Sequence, residues 1–420
     1  MRLASAALVL CFVALSAVTV RAQTPPATTE ATPATTADPA TVVKAFLDRL
    51  WPEAQKKGVS RATFDAAFAN YAPDPDVIAL NASQPEHVKS AGEYTGLLVS
   101  PVRIANGQVH KAAITPLLAA IEARFGVDRH VLLAIWGIES AYGTSMGDRS
   151  VVRSLATLAD SDTRRAEFWR GELIAALMIV QRGDITAERL AGSWAGAMGH
   201  TQFIPTTYAA YAVDFDGDGR RDIWTTVADG LGSTANYLKV SGWAPGVPWG
   251  FEVAVPPAFD YAQAAPGITK TLAEWQVLGV APVVKRDETA PDSKIGPMQL
   301  ILPAGAAGPA FLVTKNFNAI LRYNRSISYA LSVGHLADRI AGGAPFVKAW
   351  PDDDTGLSRA EREDLQRRLQ AQGHDVGDID GVLGARTRTA IRTFQRAQKL
   401  TEDGHPNGSL LAKLRAVGAP

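Results

Sequence analysis

The chain has 420 residues, of which 47% are hydrophobic and 20% are charged. These proportions are typical of globular domains and exclude a wholly disordered chain or a polytopic membrane protein. Lys and Arg together number 42, as do Asp and Glu, so there is no excess positive charge to neutralise many phosphates. Nucleic acid is therefore excluded as the expected partner.

The first 22 residues are typical of a secretory signal peptide. Arg2 provides a positive start, residues 3–20 are largely apolar, and Val20-Arg21-Ala22 places small residues at the positions that determine cleavage. A retained membrane anchor is the alternative. Cys11, the single cysteine, follows two bulky residues, unlike the lipid-carrying cysteine of bacterial lipoproteins. We therefore expect a soluble periplasmic protein whose mature chain has no disulfide and no thiolate metal site.

Composition divides the rest of the chain into four segments. Residues 23–40 are rich in Thr, Ala and Pro, which predicts a linker. From residue 41, apolar side chains recur at helical spacing, which predicts packed helices in a large domain over 41–345. A turn-rich, acidic stretch at 346–356 predicts a second linker, followed by a small module at 357–418. The first residues with helical spacing are Val43, Phe46, Leu47, Leu50, Phe64 and Phe68.

One strongly apolar segment carries a single carboxyl group. Asp128 is a suitable N-cap and Gly143 a suitable stop, which predicts a helix over residues 129–142. Glu139 lies near its end among apolar side chains, where desolvation would raise the pKa of the carboxyl group. A carboxyl group that stays protonated near neutral pH can act as a general acid. From this helix alone, an ion pair with arginine or the capping of a neighbouring helix is an alternative role.

Three motifs in order carry a family resemblance. They are Ala-Ile-Trp-Gly-Ile-Glu-Ser-Ala-Tyr-Gly at 134–143, Gly-Ser-Trp-Ala-Gly-Ala-Met-Gly-His-Thr-Gln-Phe-Ile-Pro at 192–205, and Arg-Tyr-Asn-Arg-Ser-Ile-Ser-Tyr-Ala at 322–330. Together they resemble the membrane-bound lytic murein transglycosylase B family. The resemblance covers residues 42–340, with further similarity at residues 100–104 and at Ala235-Asn236-Tyr237.

The resemblance implies a fold and a reaction. The fold is α+β and mainly α-helical, with a lysozyme-like catalytic domain. The substrate is the peptidoglycan glycan strand, and Glu139 is the only acid and base. It would protonate the bond between N-acetylmuramic acid and N-acetylglucosamine, then take the proton of the sugar's own C6 hydroxyl, so that a 1,6-anhydro end forms without water. No cofactor is required for this chemistry.

The resemblance also implies a set of substrate contacts. In the second motif Ser193 and Gln202 would contact the substrate, but Ser193 could instead cap a turn and Gln202 could instead be a solvated side chain. His200 stands where family members often have Gln. Tyr94 and Tyr237 could instead be core residues. The substrate-binding residues that the resemblance implies are Ser193, Gln202, Tyr323, Asn324, Tyr329, Tyr94 and Tyr237.

An acidic loop matches the first half of an EF-hand. Oxygen-bearing side chains occupy alternate positions, with glycine at the turn, but the twelfth position is Thr225, which supplies neither charge nor two oxygens. A structural calcium ion is one interpretation, and ion pairs of the aspartates with Arg220 and Arg221 are the other. The candidate metal-site residues are Asp214, Asp216, Asp218, Arg220 and Asp222.

The C-terminal module is predicted to be a packet of three short helices separated by Asp-Gly turns. Leu365-Gln366, Asp380-Gly381 and Phe394-Gln395 resemble the common bacterial peptidoglycan-binding domain, which implies attachment to the cell wall. His374 and His405-Pro406 depart from that pattern, so no binding residues are assigned within the module.

The leading hypothesis is an exported lytic transglycosylase that acts in cell-wall turnover. A hydrolytic muramidase is the first alternative and needs a second acid, such as Asp160, Asp162 or an aspartate of the acidic loop. A non-catalytic wall-binding scaffold is the second. Proteins of cell-wall synthesis or of the divisome are candidate partners that the sequence does not identify, and it does not distinguish exolytic from endolytic action.

Overall fold

The computed structural model describes residues 38–83, 89–284 and 292–417. Over these residues the chain is mainly α-helical with two small antiparallel sheets, which is the predicted fold class. The helices are α1 (Pro39–Lys56), α2 (Arg61–Phe68), α3 (Pro75–Ala82), α4 (Ala91–Leu98), α5 (Pro101–Ala113), α6 (Thr115–Phe125), α7 (Arg129–Ser140), α8 (Val151–Ser161), α9 (Ala166–Gln181), α10 (Pro205–Tyr211), α11 (Val227–Val240), α12 (Leu272–Val277), α13 (Asp292–Ile295), α14 (Lys315–Tyr323), α15 (Ile327–Ala341), α16 (Arg359–Ala371), α17 (Ala385–Ala397) and α18 (Gly408–Val417). The strands are β1 (Arg149–Ser150), β2 (Ala191–Gly192), β3 (Gly250–Ala254), β4 (Ala281–Pro282), β5 (Gln299–Ile301) and β6 (Ala310–Val313).

The chain divides into two compact units. The described part of the first unit comprises residues 38–83, 146–210 and 217–226. The described part of the second comprises residues 89–145, 211–216, 227–284 and 292–417. The predicted catalytic domain is thus built from both units, and the C-terminal module belongs to the second.

The first unit is a helical packet. Its first helix, α1, begins at Pro39, inside the predicted linker, because Asp38 caps it and proline fits the first helical turn. Phe46 and Leu50 on α1 and Phe64 on α2 are buried, as their spacing predicts. Helices α8 and α9 pack on each other, and the short β1–β2 pair joins Arg149 to Gly192.

The second unit is organised around α7. Residues 131–137 of this helix are all buried, so it is apolar on every side, and it packs against α15 and α5. A helix with no polar face must be surrounded by other elements, since exposed apolar surface disfavours folding. The burial of α7 therefore fixes the position of the helix within the unit.

A four-stranded antiparallel sheet in the order β4-β3-β6-β5 belongs to the same unit. All four residues of β6 are buried. The indole Nε1 of Trp249, just before β3, donates a hydrogen bond to Asp338 on α15 at 3.0 Å. Gly334 leaves room for the Trp249 ring, because a Cβ there would lie 2.4 Å from it. Burial raises the pKa of Asp338 to about 7. This contact fixes the sheet against α15.

The stretch predicted as the second linker packs within the second unit. The ring of Phe346 stacks on His335 at 3.6 Å and lies 4.7 Å from the ring of Phe311. Trp350 lies against Gly92, where a Cβ would be 2.8 Å from the tryptophan side chain. Aromatic side chains within this acidic, turn-rich stretch find apolar partners and therefore fix its path along the unit.

The C-terminal module has the predicted three helices, α16, α17 and α18. Leu365, Leu369, Ile391 and Phe394 are buried in its small core, as predicted. Among the residues that the structure describes, every helix is too short or too polar to cross a membrane. The predicted signal peptide lies outside the described residues.

Candidate active site

Helix α7 carries Glu139 one residue before its end. Asp128 caps the helix as predicted, accepting a hydrogen bond from the backbone N–H of His130 at 2.7 Å. The helix ends at Ser140, two residues earlier than predicted, because Ala141 and Tyr142 adopt left-handed backbone angles with φ of 48° and 60°. Such angles are strained for residues with a side chain and cluster at functional sites.

The Glu139 side chain lies in an environment that favours its protonated form. It is half-buried, and burial raises the pKa of its carboxyl group to about 7, while a hydrogen bond from Tyr329 acts in the opposite direction. The Tyr329 hydroxyl on α15 donates to Oε1 of Glu139 at 2.5 Å. Desolvation is the larger effect, so the carboxyl group is partly protonated near neutral pH, as general acid catalysis requires.

Arg103 on α5 holds the end of α7 in place. Its Nε donates to the carbonyl oxygen of Gly137 at 2.9 Å, and another guanidinium nitrogen donates to the carbonyl oxygen of Leu98 at 2.7 Å. The hydroxyl of Tyr142 donates to the carbonyl oxygen of Arg103 at 2.8 Å. The sequence offered one signal for this residue, the family-like segment at 100–104, but no role. The structure assigns it the positioning of the helix that carries Glu139.

Three tyrosine rings form an aromatic row in the second unit. Tyr237 lies edge-to-face with Tyr323 at 5.1 Å and with Tyr211 at 4.8 Å. The Tyr237 hydroxyl donates to the carbonyl oxygen of Arg322 at 2.5 Å. Tyr237 and Tyr323 are partly buried and pack against the core, as does Tyr94 on α4. Tyr211 was not predicted, because no motif contains it; substrate contact of the other three stays a prediction.

Asn324 has a structural role beside its predicted binding role. It is 4% exposed, and its Oδ1 accepts a hydrogen bond from the backbone N–H of Ser326 at 3.0 Å. Ser326 in turn caps α15, its side chain accepting from the N–H of Tyr329. Asn324 therefore orients the helix that carries the Tyr329 hydroxyl. Contact of Asn324 with substrate stays a prediction.

The second motif forms a tight turn in the first unit. Ser193 is 3% exposed, and its Oγ accepts hydrogen bonds from the N–H groups of Ala195 and Ala197 at 3.3 and 3.0 Å. The serine thus caps a turn, which is the alternative role that the sequence left open. Gln202 has a left-handed backbone with φ of 54°, and its Nε2 donates to the carbonyl oxygens of Met146 and Gly199 at 3.0 Å each. Gln202 is therefore held in one orientation. Contact of Ser193 and Gln202 with substrate stays a prediction.

His200 is a buried member of the same turn. Its side chain is 7% exposed, and its backbone N–H donates to the carbonyl oxygen of Ile223 at 2.9 Å. Burial lowers the pKa of the imidazole, with Asp222 acting in the opposite direction. The net effect favours the neutral imidazole at neutral pH.

The acidic loop brings together a carboxylate cluster different from the predicted set. Oxygens of Asp214, Asp216 and Asp229 lie within 4.8 Å of one another. Asp229 on α11 is fully buried and accepts a hydrogen bond from the N–H of Phe215 at 2.7 Å. It lies four residues beyond Thr225, outside the twelve positions of the EF-hand motif, so the EF-hand spacing could not identify it. Three close carboxylates fit a calcium ion, which prefers oxygen ligands and would offset their mutual repulsion.

The other predicted loop residues belong to the first unit and have partners there. Asp218 accepts from the guanidinium of Arg220 at 3.2 Å, as the ion-pair alternative predicted. Arg221 pairs with Asp184 at 2.7 Å and not with an aspartate of the loop motif. Asp222 accepts from the N–H of Thr225 at 2.8 Å and thereby caps a turn. Asp222 therefore binds the backbone of Thr225, the residue at the twelfth position, where an EF-hand would need a metal ligand.

The acids suggested for a hydrolytic mechanism also have structural partners in the first unit. Asp160 pairs with Arg49 at 3.2 Å. Asp162 is buried and accepts from the indole Nε1 of Trp169 at 3.0 Å. Both contacts are of a kind that stabilises helix packing.

Comparison with known families identifies the chain. The family model described as the transglycosylase SLT domain matches residues 43–338, more than half of the chain. The chain belongs to this transglycosylase family. Every residue of the candidate active site lies within the matched segment, and the enzyme class predicted from the three motifs is confirmed. A second model, described as a putative peptidoglycan binding domain, matches residues 358–414.

Individual relatives agree with this assignment. Membrane-bound lytic murein transglycosylase B of Escherichia coli strain K12 is 34% identical over 252 residues, which are 59% of this chain and 66% of that protein. The crystal structure of SltB3 from Pseudomonas aeruginosa in complex with NAG-anhNAM-pentapeptide has a TM-score of 0.84 and 50% identity, covering 89% of this chain and 99% of that one. The Escherichia coli lytic transglycosylase Slt35 in complex with calcium has a TM-score of 0.58 and 28% identity, covering 71% and 92%. The predicted family and lysozyme-like fold are confirmed.

Proposed function

We propose that this transglycosylase cleaves the β-1,4 bond between N-acetylmuramic acid and N-acetylglucosamine in peptidoglycan without water, leaving 1,6-anhydro ends. The observation that carries the proposal is the environment of Glu139: a half-buried carboxyl group with its pKa raised to about 7, bound by Tyr329. The ligand of the SltB3 structure, NAG-anhNAM-pentapeptide, is a molecule of the type that the reaction would release.

In the first step Glu139 acts as an acid. Its protonated oxygen donates to the glycosidic oxygen, and the bond from that oxygen to C1 of the muramic acid breaks as positive charge develops on C1. The Tyr329 hydroxyl bound to Oε1 fixes the carboxyl plane and stabilises the carboxylate that forms. Arg103, through the carbonyl oxygen of Gly137, keeps the end of α7 in place during the step.

In the second step the same carboxylate acts as a base. It takes the proton of the C6 hydroxyl, and O6 forms a bond to C1 of the same sugar, which closes the anhydro ring. The proton that left Glu139 in the first step is thereby replaced, and no water is consumed. An intramolecular nucleophile has a large effective concentration, so a second carboxylate to activate water is unnecessary.

Labelled solvent tests the proposal. Purified sacculi are digested in heavy-oxygen water, and the muropeptides are analysed by mass spectrometry. We expect anhydro-muropeptides without label, because no oxygen from water enters the product. Reducing-end muropeptides that carry the label would indicate a muramidase, and binding of sacculi without any product would indicate a scaffold.

The pH dependence of cleavage tests the role of Tyr329. Since Glu139 must be protonated to donate, activity should fall as pH rises through its pKa of about 7. Tyr329→Phe removes the hydrogen bond that lowers this pKa, so the alkaline limb of kcat/KM should move upward by roughly one to two pH units, given about 1.5–3 kcal/mol for a hydrogen bond to a charged group. Tyr323→Phe is the matched control and should leave the limb in place. Equal profiles for wild type and Tyr329→Phe would contradict this role.

We propose that the protein acts in the periplasm, where its substrate lies, after export by the signal-like N-terminal segment. The apolar residues 3–20 and the segment Val20-Arg21-Ala22 support this proposal. Cell fractionation followed by N-terminal sequencing is the test. A protein that begins after Ala22 in the periplasmic fraction is expected, and a full-length protein in the membrane fraction would contradict it.

We also propose that Asp214, Asp216 and Asp229 hold a structural calcium ion. The similar Slt35 structure is a complex with calcium, which supports this choice of metal. Calcium at about 100 times its Kd should stabilise the fold by about 2.7 kcal/mol, measured as a higher Tm than in chelator. Asp229→Asn should abolish this increase. Asp218→Asn should retain it, because Asp218 binds Arg220 and lies outside the cluster. If Asp218→Asn abolished the increase and Asp229→Asn retained it, the calcium site would lie at the EF-hand positions predicted from sequence.

A further inference from the structure

The C-terminal module contains two turns of the same construction. In the first, Gln366 accepts from the N–H of Gly381 at 2.8 Å, and Asp380 accepts from the N–H two residues later at 2.8 Å. In the second, Gln395 accepts from the N–H of Gly404 at 2.8 Å, and Asp403 accepts from the N–H two residues later at 2.9 Å. Both glycines are left-handed, with φ of 72° and 68°. Each turn is an Asp-Gly pair held by a buried glutamine.

The two aspartates differ in what their remaining oxygen binds. Oδ2 of Asp403 accepts a hydrogen bond from the N–H of Ala306 at 2.8 Å. Ala306 belongs to the 3₁₀ turn Gly305–Ala307, which lies between β5 and β6 of the family-matched part of the chain. The second turn therefore binds outside its own module.

The Asp403–Gly404 turn approaches Gly305 closely. A Cβ on Gly305 would lie 2.4 Å from Oδ2 of Asp403 and 2.7 Å from Cβ of His405, so only glycine fits. Gly305 also has a left-handed backbone with φ of 63°, which disfavours any other residue. The surface beside β6 is thus shaped to receive the second turn.

His405 makes a second contact outside the module, with the segment 346–356 that precedes it. Its Nε2 lies 2.7 Å from Oδ1 of Asp354, and the two side chains are only 14% and 6% exposed. Lys348, in the same segment, donates from Nζ to the carbonyl oxygen of Ala306 at 2.7 Å. The residue that departs from the peptidoglycan-binding pattern is therefore part of a contact within this chain.

The first turn, by contrast, has exposed side chains on either side of its buried glycine. Asp380 is exposed, and the side chain of Val382, next to the turn glycine, is 66% exposed. A carboxylate beside an apolar side chain offers hydrogen bonding to hydroxyl and amide groups together with contact to the apolar face of a sugar. The two turns have the same hydrogen-bonded construction. They differ because the first turn leaves the side chains of Asp380 and Val382 accessible to a ligand.

We propose that the two turns divide the work of the module: the Asp403–Gly404 turn docks it on the 3₁₀ turn beside β6, and the Asp380–Gly381 turn binds peptidoglycan. The module is then a rigidly held guide for the strand and not a freely moving tether. The inference rests on the proposed function for its second half only, because docking needs no substrate.

Docking is tested on the full chain without ligand. Asp403→Ala should increase the radius of gyration in solution scattering and accelerate tryptic cleavage at Lys348 by roughly tenfold, since a lost charge-assisted hydrogen bond corresponds to about that factor. Gly305→Val breaks the same contact from the other side and leaves the module's own residues intact. Asp380→Ala, the equivalent change in the first turn, is the control and should change neither readout. If both docking variants behave like wild type, docking by this turn is refuted.

Peptidoglycan binding is tested by co-sedimentation with sacculi in a Glu139→Gln background, so that the ligand is not consumed. Asp380→Ala should weaken binding by roughly tenfold, and Asp403→Ala should leave it unchanged. Equal losses in both variants, or a loss for Asp403→Ala alone, would overturn the division. Thermal unfolding verifies that each variant is folded. If the parent neither binds nor cleaves sacculi, the proposed function fails, while the scattering and proteolysis results still decide the docking.

Discussion

Glu139→Gln is expected to reduce the release of muropeptides from sacculi by about 1,000-fold or more, with sacculus binding unchanged. Proton transfer by a positioned side chain contributes about 10²–10⁴-fold, and the proposed reaction uses the same carboxyl group as acid and then as base. Glutamine keeps the size of the side chain and an oxygen to accept the Tyr329 hydrogen bond, but it can neither donate nor accept the reacting proton. Initial rates of soluble muropeptide release by mass spectrometry measure the effect.

A matched control and a second readout separate catalysis from folding. Glu167→Gln makes the same change on the exposed side of α9 and should leave activity unchanged. Folding raises the pKa of Glu139 from 4.5 to about 7. The folded chain therefore carries the unfavourable buried charge of this carboxylate only above about pH 7. Glu139→Gln should therefore raise Tm at pH 8 and not at pH 4. Wild-type activity in Glu139→Gln would refute the assignment of the acid and base.

Gly137→Ala is expected to destabilise the fold by about 1–3 kcal/mol and to reduce activity by roughly 10- to 100-fold. A Cβ at this position would lie 2.5 Å from Cζ of Tyr142, which is buried and bound to Arg103. Either the tyrosine or the helix must move, and Glu139 lies two residues further along the same helix. Tm and the rate of sacculus digestion measure the two effects.

Gly171→Ala on α9 is the control for the glycine change itself. No atom lies within 4 Å of a Cβ built at Gly171. Since alanine is the better helix former, this variant should be more stable than wild type by up to about 1 kcal/mol, with unchanged activity. Stabilisation by Gly137→Ala as well would show that the space next to Tyr142 is not the reason for glycine on α7.

The contacts of α7 support the proposal that one carboxyl group serves twice. In the proposed reaction, burial favours the protonated form before the first proton transfer, and the Tyr329 hydroxyl stabilises the carboxylate between the two transfers. Arg103 and Tyr142 fix the helix end, so the carboxyl group need not be repositioned between the steps. The left-handed backbone at Ala141 and Tyr142 turns the chain away from the helix axis two residues after Glu139.

The elements that local sequence determines were predicted well. Asp128 caps α7, the residues of α7 around Glu139 are buried, and three short helices form the C-terminal module, because capping groups and apolar spacing act over a few residues. The end of α7 was predicted two residues too late. A glycine at 143 indicated a stop, but the turn begins at Ala141, where tertiary contacts of Tyr142 impose a backbone angle that propensity disfavours.

The features that depend on tertiary packing were predicted only in part. The loop motif identified Asp214 and Asp216 but not Asp229, which reaches the cluster from α11. The acidic stretch before the module was predicted as a linker, yet Phe346 packs on His335. Neither pairing is part of a repeating sequence pattern, since each depends on how a non-helical segment packs on a helix.

By itself, the sequence determined the family, the helical character and the identity of Glu139 as the candidate acid, because motifs and helix periodicity are local properties. Only the tertiary structure decided which group tunes that acid, Tyr329 from 190 residues further along the chain, and which of two equivalent Asp-Gly turns is already occupied. Burial, hydrogen-bond partners and pKa shifts arise from packing, and packing joins residues that the sequence keeps apart.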